Sequence, residues 1–139
     1  EDEDALRPFE RPETAEPMAM TLVRAGANRR TIQREVGGET IVTCVNDDGV
    51  YRIERTGVEV GFAGVERYRV KGEDPLSAVS EFDWSWSFGK GDWNVRCVTR
   101  TRLSGSSEAF NLKVDLDAYE GEQRIYCRSW NEEIPRDMN

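Results

Sequence analysis

Between Ala78 and Trp130, apolar and polar residues alternate along the chain. On Ala78–Phe88, Phe82, Trp84, Trp86 and Phe88 fall on one side, and Glu81, Asp83, Ser85 and Ser87 on the other. On Ala109–Tyr119, Phe110, Leu112, Val114, Leu116 and Ala118 oppose Asn111, Lys113, Asp115 and Asp117. Side chains of a strand alternate with period two, so each segment predicts a strand with one dry and one wet face.

Short turns join these strands to two more. Lys90-Gly91 as a two-residue loop sets Phe88 opposite Trp93, Trp86 opposite Val95, Trp84 opposite Cys97 and Glu81 opposite Arg100. Glu120-Gly121 as a second loop sets Asp117 opposite Arg124, Lys113 opposite Arg128, Leu116 opposite Ile125 and Val114 opposite Cys127. Both registers put apolar residues against apolar ones, and the pairs Glu81–Arg100 and Asp117–Arg124 set opposite charges face to face. A one-residue slip would invert every face. The expectation is four long antiparallel C-terminal strands.

Upstream the elements are shorter. Thr21–Val23 and Arg30–Val36 flank an Ala25-Gly26-Ala27-Asn28 turn. Glu39–Val45 and Val50–Thr56 flank Asn46-Asp47-Asp48-Gly49, which reads as a hairpin loop. Calcium is the sharper reading of that acidic turn, but it lacks the spaced acidic register and distal glutamate of a calcium loop. Val58–Phe62 and Val65–Lys71 add strands on either side of Gly64, and Lys71–Pro75 forms a loop. No segment has helical periodicity. The predicted fold class is all-β, an antiparallel meander of about eight strands closing into a barrel or a sandwich.

Residues 1–20 differ from the rest. They are acidic and broken by Pro8, Pro12 and Pro17, which disfavours both helix and sheet. They read as an extended linker, or as an arm anchored by Leu6, Phe9 and Met18, preceding a β domain over 21–139.

Charge and cysteine usage narrow the function classes. A net charge of −8 repels phosphate backbones and anionic lipid, so neither nucleic acid nor membrane is the expected partner. The three cysteines, Cys44, Cys97 and Cys127, lie inside predicted strands. Cys97 and Cys127 fall on one face but two strand spacings apart, roughly 9–10 Å, too far for a disulfide. Free thiols in a reducing, cytoplasmic compartment are the expectation.

The chain has no histidine. That removes the usual general base, rules out a Ser-His-Asp or Cys-His arrangement within this chain, and removes the commonest metal ligand. No nucleophile elbow, phosphate-binding loop or Cys-x-x-Cys is present. Asp115 and Asp117 share a strand face, where they read as rungs of a charge ladder and not as an acid/base pair. No catalytic residue, metal site or cofactor is expected. The aromatic residues Trp84, Trp86, Phe88, Trp93 and Phe110 read as β core, with the lining of an apolar ligand pocket as the alternative. Trp130 falls opposite Asn111 on the wet face, which marks it, with Phe9, as a candidate interface residue.

Several phrases recur in a known context: Asp74-Pro75-Leu76-Ser77-Ala78 before an aromatic strand, Gly91-Asp92-Trp93, Ala118-Tyr119-Glu120-Gly121, and Trp130-Asn131-Glu132-Glu133-Ile134-Pro135-Arg136-Asp137. In this order they resemble the C-terminal region of CocE/NonD-type serine hydrolases, also called X-Pro dipeptidyl-peptidase-like or peptidase S15 acyl esterases. The resemblance is closest over 74–137. It implies a parent chain with an α/β-hydrolase domain, a helical cap and a jelly-roll, acting on esters or amides, with its triad upstream. On that reading this chain is a non-catalytic accessory β domain. It packs against the catalytic or jelly-roll domain or supports a homo-oligomer. The alternative is a stand-alone barrel binding a small apolar ligand.

Overall fold

The computed structural model describes residues 13–35 and 37–137. Every regular element is a strand: β1 (Met20–Arg24), β2 (Arg29–Arg34), β3 (Glu39–Ile53), β4 (Val58–Lys71), β5 (Asp74–Lys90), β6 (Trp93–Gly105), β7 (Ala109–Glu120) and β8 (Gln123–Pro135). They form a single antiparallel sheet in the order β1-β3-β4-β5-β6-β7-β8, with β2 also paired to β3.

The eight-strand antiparallel meander is the architecture expected from the alternation. Its ends do not meet. The sheet is open, with β1 and β2 along one edge and β8 along the other. Ala109, 6% exposed, is the one buried apolar residue among those described. The aromatic face is therefore the surface of one layer, not the lining of a closed core.

The N-terminal half differs from expectation in three places. Asn46–Gly49 is not a hairpin. β3 runs straight through it with a bulge, pairing Asp47 with Ala63 and Gly49 with Phe62. Gly64 does not end a strand either, because β4 continues past it. β1 and β2 are two halves of one broken edge strand. β1 pairs with Val50–Ile53 and β2 with Thr40–Val45, so both run antiparallel to β3.

The break and the bulge fit each other. Arg24 donates two hydrogen bonds to the Asp47 carboxylate, at 2.7 and 2.9 Å. The Gly49 N–H donates to Asp47 Oδ1 at 2.9 Å, and the Asp47 N–H to Asn28 Oδ1 at 2.8 Å. A Cβ on Gly26 would stand 1.9 Å from the Asp47 carbonyl oxygen. The turn-forming residues here serve backbone contact between neighbouring strands, not chain reversal.

The C-terminal hairpins turn one residue later than expected. Lys90 pairs with Trp93 around Gly91-Asp92, and Glu120 with Gln123 around Gly121-Glu122. Each glycine takes the first loop position with positive φ, +57° at Gly91 and +56° at Gly121. Between β5 and β6 the register moves by an even step. Trp86 faces Cys97, and Glu81 faces Arg102 instead of Arg100. An even step keeps both faces intact.

Between β7 and β8 a bulge adds an odd residue. Tyr119 pairs with Arg124 but Ala118 with Tyr126, leaving Ile125 out. From there the faces of β8 invert. Trp130 lies opposite Val114 on the aromatic face, not opposite Asn111 on the wet one. Cys127 lies opposite Asp117, so Cys97 and Cys127 are on different faces rather than one.

Candidate functional site

The aromatic side is built around β4 and β5. Direct pairing puts Phe62 opposite Trp86, Val60 opposite Phe88 and Gly64 opposite Trp84. The Phe62 and Trp84 rings stack at 4.6 Å and 12°, and Phe62 meets Trp86 at 4.3 Å and 51°. Trp84 can lie so close because Gly64 has no side chain. A Cβ there would sit 2.1 Å from the indole. On the same side, Tyr68 meets Phe82 edge-on at 5.6 Å. Its hydroxyl donates to Glu66 Oε2 at 2.8 Å, and this bond raises the phenol pKa above its ordinary value.

Trp84, Trp86, Phe88 and Trp93 lie along one face of β5 and β6. Trp86 is 47% and Trp93 46% exposed. Phe110 shares their face but sits at its far end. Gly105, its partner, lies one step beyond the Val79–Ser104 pair, roughly 33 Å along the strands from Phe88. Arg136 covers its ring, with the guanidinium 4.1 Å from the centroid. Trp130 is on the same face three strands over, under Arg128 at 4.7 Å. Phe9 lies outside the described residues. Phe62 was missed as a site residue. Its alternation with Val58 and Val60 gives its facing, but nothing local reveals that β5 supplies its partners.

The opposite side is ionic. Glu81 on β5 holds Arg69 of β4 at 2.9 Å and also Arg102 of β6. Asp117 on β7 holds Arg100 of β6 at 3.0 Å and Arg124 of β8 at 3.2 Å. Arg52–Glu59 and Arg67–Asp83 tie β3 to β4 and β4 to β5. Arg67, Glu81, Asp83, Arg100, Arg102, Lys113 and Asp115 line a shallow open trough of about 320 Å³ on this side.

This side has the features of a ladder, not of a reaction centre. Hydrogen bonding from Arg100, then Arg124, holds the Asp117 carboxyl below its usual range. Arg24 does the same to Asp47, with help from the Gly49 N–H. A general acid needs the opposite shift. Asp115 accepts a hydrogen bond from the Ser129 hydroxyl. Among the described residues, no group of three or more acidic or cysteine side chains is arranged to hold a metal. Among the same residues, no helix is long and apolar enough to cross a membrane.

No protein-family model, curated protein or solved structure matches this chain.

Proposed function

We propose that this chain is a non-catalytic β module that packs its aromatic face onto a neighbouring protein domain. The carrying observation is the bare face itself: Phe62, Trp84, Trp86, Phe88 and Trp93 cluster on one layer with Trp86 and Trp93 nearly half exposed. A sheet with one apolar face ordinarily buries it against a second layer. Seven strand rows and strands of about a dozen residues give this face an area on the order of 1,000 Å². Polar residues such as Glu66, Thr99, Thr101, Arg128 and Glu132 share it, and its full extent compares with the roughly 800 Å² each partner buries in a stable complex.

The occupant we assign is the catalytic or jelly-roll domain of an α/β-hydrolase-type esterase or peptidase in the same polypeptide. The phrases over 74–137 support that choice. The absence of histidine supports a role without chemistry of its own. Free Cys44, Cys97 and Cys127 fit a reducing cytoplasmic setting, and the acidic balance disfavours nucleic acid or an anionic membrane as partner. Binding of a small apolar ligand is the weaker reading, because an open sheet presents the tryptophans as a surface and not as a cavity.

Three measurements test this. The reading frame that encodes the chain, sequenced to its ends, should carry a hydrolase domain. That domain, expressed separately, should bind the chain and lose it on Trp84→Ser/Trp86→Ser. A frame without such a domain removes the assigned partner. Ester turnover or phosphonate labelling by this chain alone would defeat the non-catalytic reading.

A further inference from the structure

The two edges of the sheet are built differently. The β1–β2 edge is broken at Ala25–Asn28 and kinked by the bulge opposite it. Its longer half carries Arg29, Arg30 and Arg34, a like-charged strand that repels a copy of itself. Interruptions and like charges are how sheets guard an edge against pairing. The β8 edge has thirteen residues, and past the Ile125 bulge it pairs without interruption from Tyr126 to Pro135. Its residues are exposed except Trp130.

The charges of β8 also have a different pattern. Arg128 and Glu132 both lie on the aromatic side, opposite Leu116 and Leu112 of β7. Neither forms an ion pair among the described residues. They stand two residues either side of Trp130, with opposite signs. Charges of one sign on that face would repel a copy of the same strand. Opposite signs placed symmetrically about a central residue are self-complementary.

We infer that β8 is a strand-pairing edge for a second copy of this chain, antiparallel and two-fold symmetric about Trp130. In that register Arg128 faces Glu132 of the second copy, twice over. Tyr126 faces Ile134, and Trp130 faces Trp130 across the axis. Slipping by two residues places Arg128 opposite Ile134 or Trp130 and loses both ion pairs. A two-fold axis perpendicular to the sheet keeps both aromatic faces on one side. The dimer is thus a continuous sheet of double width, with a closed, isologous contact. This inference concerns the edge; Arg128, Trp130 and Glu132 border the aromatic face, and pairing across β8 does not require that face to be covered.

The test is sedimentation equilibrium of the full chain and of four variants, Arg128→Glu, Glu132→Arg, their combination and Trp86→Ser, each checked for unchanged far-ultraviolet circular dichroism. The chain should be dimeric. Arg128→Glu and Glu132→Arg should each weaken the dimer by about tenfold or more, since two attractive cross-strand pairs become repulsive. The double variant Arg128→Glu/Glu132→Arg should restore it. A monomer at every concentration overturns the inference, as does a double variant that stays dissociated. Association that survives Arg128→Glu but disappears with Trp86→Ser would assign self-association to the aromatic face and overturn it too.

Discussion

Trp84 lies across the backbone of Gly64 on the adjacent strand, so close that a Cβ at position 64 would meet the indole at 2.1 Å. The same indole is stacked on the ring of Phe62 at 4.6 Å, which resists its lifting away. A glycine across from an aromatic in a sheet is thereby shielded, and each position explains the other. Gly64→Ala should therefore destabilise the chain by about 1–3 kcal/mol, the ordinary cost of overpacking. Gly37→Ala, with nothing within 4 Å and no positive φ, should change little. Urea unfolding of both variants checks this. Equal effects at 64 and 37 would mean that Trp84 does not rest on Gly64.

The second prediction concerns the tie between β1 and β3. Asp47 accepts two hydrogen bonds from Arg24 and one from the Gly49 N–H, so one carboxylate serves both the bulge and the edge strand. Asp47→Ala should speed amide exchange in β1 severalfold while leaving β5 to β7 unchanged, because openings are local where contacts are few. Hydrogen exchange resolved by segment reads it. Uniform acceleration across the sheet would instead make Asp47 a determinant of global stability.

The alternation was the most legible feature of the chain. It gave the faces of β5, β6 and β7 correctly, since period two is a local property. Register was less legible. The Gly91 and Gly121 turns each fall one residue later than composition suggests, because either glycine can occupy the first or the second loop position. Between β5 and β6 the error left the faces intact, being even. Between β7 and β8 the Ile125 bulge made it odd, and Trp130 and Cys127 exchanged sides. No local signal marks Ile125 as the extra residue. Asn46–Gly49 and Gly64 misled for another reason. Both have the composition of turns, yet their small residues answer to neighbours far along the sequence, Ala25–Asn28 and Trp84. Clustering of the tryptophans was visible in advance, but the absence of a second layer over them was not.

The inverted faces of β8 give a third prediction. Cys127 is exposed opposite Asp117 on the ionic side, whereas Cys44 and Cys97 are half-buried on the aromatic side. A bulky maleimide should modify Cys127 first, since access controls thiol labelling alongside thiolate character. Peptide mapping after limiting labelling reads the order. Preferential labelling of Cys97 would favour the register without the Ile125 bulge.

The last prediction is the pH profile. Arg100 and Arg124 hold Asp117 below its usual range, and Arg24 holds Asp47 below it. A carboxyl whose folded pKa lies below its unfolded value, about 3.9, contributes its full stabilisation above that value and loses it as pH falls through the folded pKa. Melting temperature should therefore drop as pH falls below about 4. Asp117→Asn should lower the melting temperature at neutral pH and flatten the acid limb, bringing wild type and variant together at the lowest pH. Between about pH 5 and 8 the profile should be level, because the chain has no histidine, the side chain that ordinarily titrates there. Thermal melts across the range decide it. A variant whose deficit persists unchanged into the acid limb would show that the arginines do not stabilise the Asp117 carboxylate, and that the ladder on the ionic face is geometry without linkage.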